Sequence, residues 1–185
     1  MKLKIVKFKS VRSTNDEAIK IIKSGQFFQG LVSTDTQANG RGTMGKKWIS
    51  CKGNIFISIF FKVNLIKIKI ENYLIINAKI IKKILRNYTK KNIVIKKPND
   101  LLIKNNKVSG ILQETLCKSG EIFIIVGIGV NLIKSPIIKN YLTTNLLDLT
   151  GIKITPNNAA LKLKKIYEKF IPMFAKFNVK NINRI

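Results

Sequence analysis

The chain has 185 residues, of which 45% are hydrophobic, and its mean hydropathy is +0.08, which suits one globular domain with a substantial core. It contains no histidine, which excludes Ser-His-Asp and Cys-His relays, histidine acid–base catalysis and histidine metal sites. Any chemistry must therefore use lysine, arginine, asparagine, aspartate and backbone amides. The formal net charge of +26 comes almost entirely from lysine. Because isoleucine and asparagine are also in excess, biased genome composition is favoured over a nucleic-acid-binding face. Attraction to an acidic protein partner is left open.

A strand and a helix are predicted at the start of the chain. Leu3–Lys9 alternates apolar and polar residues, as an edge or half-buried strand does. Three polar residues, Ser13, Thr14 and Asn15, are followed by two acids and predict the start of a helix that Gly25 ends. Simple capping would account for the three polar residues without a ligand.

A glycine-rich loop follows the second predicted strand, Gly30–Thr36. The loop places three glycines around one of the few arginines: Gly40, Arg41, Gly42 and Gly45. Bare backbone N–H groups can approach a phosphate or a carboxylate, which predicts an anion-binding loop, although a surface loop is the plainer alternative. Trp48, the sole tryptophan, ends the loop, where packing in the core and covering a purine are equally good interpretations.

Apolar runs and their spacing predict the remaining elements. Strands are expected over Asn54–Phe61, Ile93–Lys96 and Glu121–Val130, and helices over Glu71–Tyr88 and Asn157–Phe177. The last of these strands carries Gly127 and Gly129, and glycines inside a strand indicate close approach of another group. Asn131 is therefore expected to point at a ligand that lies over this bare backbone.

A hairpin over residues 95–114 combines scaffold and chemistry. The pair Asn105–Asn106 suits the positive φ angles of a two-residue turn, which would bring Asp100 and Lys107 close together. A period of two would put Lys107 on one face of the second strand together with Ser109, Ile111 and Gln113. Gly110 would leave bare backbone on the other face, where a flat ligand could lie. An ordinary surface hairpin with solvated lysines is the alternative.

The compartment is predicted from two absences in the sequence. No uninterrupted apolar run reaches the roughly 18 residues of a bilayer span, and no signal-peptide apolar core follows the N-terminus. Cys51 and Cys117 form no CxxC pair or ligand cluster, which disfavours zinc and suits a reducing compartment. We therefore expect a cytoplasmic protein that forms a single domain over residues 1–185.

Three sequence motifs occur in a fixed order. They are Ser13-Thr14-Asn15, the Gln37-x-x-Gly40-Arg41-Gly42 loop that ends at Trp48, and Pro98-Asn99-Asp100 with Lys107-Val108-Ser109-Gly110-Ile111-Leu112, followed by Gly127-x-Gly129-x-Asn131. Together they resemble the catalytic domain of biotin protein ligase, also called biotin-[acetyl-CoA-carboxylase] ligase, over roughly residues 8–132, and such an ordered set is far more specific than any one loop.

The resemblance implies an α/β (α+β) fold, with a mixed, largely antiparallel sheet and helices packed on one side, as in class II synthetase catalytic domains. It also implies an enzyme that joins biotin to ATP, makes biotinyl-5'-AMP and pyrophosphate, and passes the biotinyl group to a lysine. That lysine would belong to the biotin carboxyl carrier domain of an acyl-CoA carboxylase. ATP, biotin and Mg²⁺ are the implied ligands.

The resemblance further implies roles for individual residues. Lys107 would meet the biotin carboxylate and the α-phosphate, Arg41 would hold the phosphates, and Asp100 would either hold magnesium or orient the carrier lysine. Ser13, Thr14 and Gln37 would bind the ureido ring of biotin with loop amides near Arg41, Trp48 would pack by the adenine, and Asn99 and Asn131 would bind the nucleotide. The other implied ligand-binding positions are Asn15, Gly40, Gly42, Thr43, Gly110, Gly127 and Gly129.

The chain departs from the family pattern at several places. Thr43 stands where an arginine usually follows Gly-Arg-Gly, and Lys97 stands where a tryptophan usually precedes the proline, so weaker adenylate binding is expected. The first strand begins almost at Met1, so no N-terminal winged-helix domain and no operator binding are expected. Because the chain stops at Ile185, the small C-terminal barrel that many relatives carry is not expected.

Two other functions are alternatives. A lipoate-protein ligase shares the implied architecture, but the Arg-Arg-x-x-Gly-Gly-Gly run typical of that family is absent from the sequence. A lysine-rich RNA-binding module would show salt-sensitive RNA binding without ATP–pyrophosphate exchange. No specific DNA and no membrane are expected as partners, and both a monomer and a homodimer that pairs its sheets edge to edge are open.

Overall fold

The structure is a computed structural model that describes residues 2–64 and 69–174. The strands are β1 Lys4–Val11, β2 Gly30–Gln37, β3 Ile55–Val63, β4 Ile93–Lys96, β5 Asp100–Ile103, β6 Asn106–Lys118 and β7 Glu121–Val130. The helices are α1 Thr14–Ser24, α2 Ile70–Leu85, α3 Leu146–Thr150 and α4 Pro156–Phe174. A short 3-10 turn, Thr43–Gly45, lies in the glycine loop. None of these described helices has the length and hydropathy needed to cross a membrane.

All of these strands join one sheet, in the order β1-β2-β3-β7-β6-β5-β4. β1 and β2 pair in parallel, with α1 as the crossover between them, and every other neighbouring pair is antiparallel. The mixed, largely antiparallel sheet implied by the sequence is therefore confirmed.

Helices cover both faces of the sheet, which corrects the expectation that they would pack on one side. On one face, Ile22 of α1 packs in a cluster that includes Phe60 and Ile125. On the other face, α2 and α4 pack over residues that alternate with these along the same strands, such as Ile59 and Val126. The reason is that β3 and β7 are apolar at consecutive positions, so both of their faces must be covered.

The predicted strands and helices occur within a few residues of their expected bounds. α1 ends as predicted at Gly25, whose φ of 77° is the left-handed conformation of a helix C-cap. The last helix begins at Pro156, one residue before the expected Asn157, because proline is well tolerated in a first turn. Its expected end at Phe177 lies outside the described residues.

The turn of the β5–β6 hairpin lies one residue earlier than predicted. Lys104 and Asn105 have φ angles of 51° and 64°, so they form the tight turn in place of the expected Asn105–Asn106. The register follows from Ile103, which is fully buried and pairs with Asn106. A buried strand residue fixes the pairing, because a shift by one would turn it towards solvent.

A β-bulge in β6 corrects the predicted alternation of faces. Leu101 and Leu102 of β5 pair with Ser109 and Lys107, which leaves Val108 as an extra residue in β6. Val108 and Ile111 are buried in the core under α2 and α4. Lys107 therefore does not share the face of Ile111, because the extra residue turns the lysine to the opposite side of the sheet.

Candidate active site

A cavity of about 430 Å³ lies where the glycine loop, the start of α1, the β4–β5 loop and strands β6 and β7 meet. Most of the residues proposed from the sequence line it: Ser13, Thr14, Asn15, Gln37, Arg41, Gly42, Thr43, Trp48, Asn99, Asp100, Lys107, Gly110, Gly127 and Gly129. Segments far apart in the sequence thus meet around one space large enough for a small molecule.

Gly40 and Asn131 do not line this cavity. Gly40 lies behind it, where a Cβ atom would come within 2.6 Å of the Trp48 carbonyl oxygen. The buried Asn131 side chain donates to the Thr144 carbonyl at 3.1 Å and faces a small recess beside the cavity. Asn131 therefore fixes the backbone that follows β7, which corrects the expectation that it points at a ligand over the bare strand.

The start of α1 is held by side chains of neighbouring strands, and simple capping does not describe it. Ser13 occupies the N-cap position without a side-chain capping bond. The Thr14 N–H donates to the Gln37 Oε1 at 2.9 Å, and the Ser58 hydroxyl lies 2.7 Å from the Thr14 hydroxyl and also contacts the Asn15 Oδ1. This end of the cavity is consequently lined by both hydrogen-bond donors and acceptors.

Arg41 forms ion pairs with two carboxylates. Its Nη1 and Nη2 atoms each lie 2.8 Å from an oxygen of Glu114, and Nη2 also lies 2.7 Å from the Asp16 Oδ1. Burial opposes the charged form of Arg41, but the bonds to Glu114 and Asp16 outweigh burial and raise its pKa above the ordinary value. The guanidinium is thus permanently charged and tied to β6 and α1.

Lys107 and Asp100 meet as the hairpin predicts, with the Lys107 Nζ 2.7 Å from the Asp100 Oδ1. The two atoms are within ion-pair distance, but Asp100 Oδ1 has no hydrogen-bond partner within the described residues. The Lys107 ammonium also lies 5.4 Å from the ring centre of Trp48 and 5.3 Å from that of Tyr141. Its position is therefore fixed by a carboxylate and by two aromatic rings.

The bare backbone expected for a ligand is covered by side chains of the protein. Gly110 and Gly129 pair with each other across β6 and β7, and the Trp48 ring lies over both. A Cβ atom would come within 2.7 Å of this ring at Gly110 and within 2.3 Å at Gly129. At Gly127 a Cβ would come within 2.4 Å of the Asn15 side-chain amide. These glycines thus admit Trp48 and Asn15, both of which line the cavity.

The mouth of the cavity is strongly cationic. Four exposed lysines line it without an ion pair anywhere in the described part of the chain: Lys46, Lys47, Lys96 and Lys97. Thr43 lies in the same wall, within the 3-10 turn. The Gly42 N–H donates to the Lys46 carbonyl at 2.7 Å, so this amide of the glycine loop serves the loop itself. Lysine side chains are therefore the free positive groups at the mouth.

Asn99 holds the β4–β5 loop against β6. Its side-chain amide donates to the Ile111 carbonyl at 2.8 Å, and its backbone carbonyl accepts from the Ile111 N–H at 3.0 Å. These two bonds fix the loop that carries Asp100 to the strand that carries Lys107. Asn99 therefore helps to set the distance between the two charged groups.

Three residues of the site escaped the sequence analysis. Ser58 contacts Thr14 and Asn15, Glu114 binds Arg41, and Tyr141 covers Lys107. Glu114 left a signal, because it is one of 9 acidic residues in a chain with 35 lysines and arginines and it lies in a strand. Tyr141 could not have been found from the sequence, since it belongs to an irregular segment. Burial, and then the charge of Asp100, raises the pKa of its phenol.

Solved structures with this fold include biotin protein ligases. A mutant biotin protein ligase from Aquifex aeolicus, in complex with biotin, aligns with a TM-score of 0.78 and 27% identity over 98% of this chain and 75% of that chain. The Leishmania major biotin protein ligase in complex with biotinyl-5-AMP aligns with a TM-score of 0.76 and 21% identity, over 98% and 78% of the two chains. At this lower identity the likeness concerns the fold.

Curated relatives are similar over most of the chain. The bifunctional ligase/repressor BirA of Salmonella typhimurium is 27% identical over 160 residues, which are 85% of this chain and 50% of the relative. The biotin--[acetyl-CoA-carboxylase] ligase of Mycobacterium tuberculosis is 27% identical over 164 residues, which are 84% of this chain and 59% of the relative. The chain thus spans about half the length of the first of these relatives.

The family model for biotin/lipoate A/B protein ligases matches residues 7–131. This range contains every strand of the sheet except the first residues of β1, and it contains the segments that build the cavity except the one that carries Tyr141. The match covers more than half of the 185 residues. The chain belongs to the biotin/lipoate A/B protein ligase family.

Proposed function

We propose that this chain activates biotin with ATP to form biotinyl-5'-AMP and transfers the biotinyl group to a lysine of a biotin carboxyl carrier domain. The observation that carries the proposal is the enclosed Lys107 ammonium, 2.7 Å from Asp100, between a polar end and a cationic mouth of one cavity. Biotin also has a polar ring at one end and a carboxylate at the other. Its length would place the carboxylate towards Lys107.

Lys107 would act on the adenylation step through its charge. A biotin carboxylate oxygen attacks the α-phosphorus of ATP, the bond to the β-phosphate breaks, and pyrophosphate leaves. Two anions must approach each other in this step, and an ammonium fixed between them lowers their repulsion. Because Trp48 and Tyr141 flank the ammonium, little reorganisation is needed to place it.

The polar end of the cavity favours biotin over lipoate. A ureido ring carries two N–H donors and one carbonyl acceptor, and Thr14, Asn15 and Gln37 on the cavity wall carry both kinds of group. The dithiolane ring of lipoate offers weakly accepting sulfur atoms. It would therefore bond the polar groups at this end of the cavity less well than a ureido ring would.

The nucleotide would occupy the side of the cavity that carries Trp48 and Asn99. The Trp48 ring is a flat apolar wall suited to a purine, and the unpaired lysines at the mouth suit a triphosphate. Thr43 supplies a hydroxyl there in place of a charge. We propose that Lys46 or Lys47, a few residues along the same loop, provides the missing phosphate contact.

Magnesium would be held through Asp100. Within the described residues, no group of three or more Asp, Glu or Cys side chains gathers as a metal cage does. Mg²⁺ is commonly bound by one or two carboxylates together with phosphates and water, so a single carboxylate fits this mode. Asp100 is the carboxylate that lines the cavity, with its Oδ1 2.7 Å from the Lys107 ammonium, whereas Asp16 and Glu114 are engaged by Arg41. The ion would neutralise phosphate charge.

The transfer step would use the same carboxylate in another way. The amine of the carrier lysine attacks the acyl carbon of biotinyl-AMP, the bond to AMP breaks, and the amine loses a proton. Asp100 would orient that amine, as an alternative to holding magnesium. Three expectations from the sequence stay proposals. They are a carboxyl carrier domain as the acceptor, a cytoplasmic location, and either a monomer or a homodimer.

Transfer to an isolated biotin carboxyl carrier domain tests the proposed function. The purified chain, ATP, Mg²⁺ and biotin should add one biotinyl group to the carrier lysine, as measured by intact-protein mass spectrometry. A carrier whose acceptor lysine is replaced by arginine is the matched control and should stay unmodified. Transfer of lipoyl but not biotinyl groups would assign the chain to the lipoate branch of its family.

A further inference from the structure

The role of Arg41 follows from the partners of its guanidinium. Nη1 donates to Glu114 Oε1 and Nη2 to Glu114 Oε2, each at 2.8 Å, so this pair is bidentate. Nη2 also donates to Asp16 Oδ1 at 2.7 Å. The buried Nε atom has no hydrogen-bond partner in the described chain. Three of the five N–H donors of the guanidinium are thus engaged by carboxylates and a fourth, on Nε, is buried, which leaves one donor of Nη1 for another anion.

The charge around Arg41 is unsuited to a phosphate. One guanidinium and two carboxylates leave the cluster of Arg41, Glu114 and Asp16 with a net negative charge. A phosphate oxygen at this guanidinium would have to displace a bidentate carboxylate or lie beside two of them. Like charges at such distances repel, so the unpaired lysines at the cavity mouth offer a more favourable place.

The same cluster is connected to the polar end of the cavity. The Asn15 Nδ2 donates to Glu114 Oε2 at 2.6 Å, and the Asn15 Oδ1 accepts from Ser58. Arg41 follows Gly40, whose carbonyl accepts from the Trp48 N–H at 2.9 Å. The guanidinium therefore joins the glycine loop to α1 and β6 at the point where the polar side chains of the cavity are held.

We propose that Arg41 is a positioning residue for the biotin end of the cavity and does not hold phosphate. Its pair with Glu114 fixes the glycine loop against α1 and β6, so that Thr14, Asn15 and Gln37 are preorganised for the acid substrate. This assignment rests on the proposed function and replaces the phosphate role that the resemblance implies for Arg41.

Direct binding of each substrate separates the two roles. Biotin and ATP dissociation constants are measured separately by calorimetry for the wild type, Arg41→Gln, Glu114→Gln and the double variant. Each single variant should weaken biotin binding about tenfold, and the double variant should be no more than about twofold worse than either, because both remove one interaction. The ATP dissociation constant should change by less than about threefold, since the phosphates lie elsewhere.

Two further variants keep the test decisive if Arg41→Gln folds poorly. Arg41→Lys keeps the charge but loses the bidentate fork, and Asp16→Asn removes the more exposed partner, so each should weaken biotin binding to a smaller extent. Lys97→Gln is the matched variant at the mouth and should weaken ATP binding without changing biotin binding.

Three results would overturn the inference about Arg41. They are an Arg41→Gln protein that loses ATP affinity but keeps biotin affinity, a Glu114→Gln protein that binds biotin as the wild type does, and additive losses in the double variant. Failure of the wild type to bind biotin would instead count against the proposed function.

Discussion

The position of Lys107 depends on the residue that follows it. Val108 is extra in β6 and is buried in the core, so the lysine turns to the Gly110 side of the sheet. Strict alternation would have placed Lys107 on the face of Ile111, under the helices. The bulge thereby sets an ammonium beside Asp100 in the cavity, and bulges commonly re-aim side chains in this way.

Replacing Lys107 by alanine should abolish most biotinyl-AMP formation. The protein should fold, because the side chain lies in the cavity wall, but the loss of a preorganised charge should cost about a hundredfold or more in rate. Adenylate formation can be followed with labelled biotin in single-turnover reactions. Lys20→Ala, on the exposed side of α1, is the matched lysine control. A folded Lys107→Ala protein with wild-type rates would show that the ammonium has no part in adenylation.

Thr43 should make the adenylate leave faster than an arginine at this position would allow. A charge-assisted hydrogen bond is worth about 1.5 to 3 kcal/mol, and a loop open to solvent delivers the lower part of this range. Each 1.4 kcal/mol is about tenfold in a dissociation constant, so Thr43→Arg should slow adenylate release at least several-fold. The off-rate of preformed biotinyl-AMP measures this directly.

A second variant tests which group replaces the arginine. If Lys46 or Lys47 supplies the phosphate contact, the Lys46→Ala/Lys47→Ala double variant should release adenylate markedly faster than the wild type. Equal off-rates for Thr43→Arg and the wild type would refute the idea that Thr43 weakens retention.

The positions of single residues could be predicted from the sequence only where local geometry sets them. The approach of Asp100 and Lys107 could be predicted because a hairpin brings its flanking residues together whatever the turn register. The face of Lys107 could not, because a bulge leaves no pattern in a single sequence. Glu114 and Ser58 were missed because their partners are 73 and 44 residues away, on other elements.

At the scale of elements, Glu168 ties α4 to Leu3, the residue that precedes β1. Its Oε1 accepts from the Leu3 N–H at 2.7 Å and from the Lys164 ammonium at 2.6 Å. Burial tends to raise the pKa of Glu168, but the hydrogen bonds from Lys164 and Leu3 outweigh it and lower the pKa. A lowered pKa means that the folded state gains stability from the charged carboxylate.

This gain should depend on pH in one direction. It is present above the unfolded pKa of about 4.3 and is lost as the pH falls through the lower folded value. Glu168→Gln should therefore lower the urea midpoint at pH 7, by about 0.5 kcal/mol in stability, and the difference from the wild type should vanish in acid. Glu121→Gln, in an exposed pair with Lys62, is the control and should have no effect. A difference that persists unchanged in acid would argue against an ionic origin.

Most element bounds could be predicted because periodicity and capping are local signals. The type of sheet was implied by the resemblance, and the structure bears it out. The placement of the helices was wrong because a run such as Ile55–Val63 is apolar at every position except Ser58 and Lys62, so it does not tell which face a given helix covers. The hairpin turn was misplaced by one residue because Asn105 suits either register and burial of Ile103 decides between them.

For the molecule as a whole, the account requires direct transfer without a covalent enzyme intermediate. Cys51 and Cys117 are free thiols, and neither lines the cavity. The Cys51→Ser/Cys117→Ser variant should thus transfer biotin to a carrier domain within about twofold of the wild-type rate. Mass spectrometry of the wild type during turnover should detect no thioester. A biotinylated cysteine that forms and decays with turnover would contradict direct transfer.

The proposed function requires that this molecule couple ATP to biotin at one site. Exchange of labelled pyrophosphate into ATP, measured with biotin, with lipoate and with neither acid, tests it most directly, because exchange requires reversible adenylation and no carrier. Exchange should depend on biotin, be weak or absent with lipoate, and disappear in the Lys107→Ala variant. A folded protein that shows no biotin-dependent exchange, or that exchanges with lipoate instead, would contradict it.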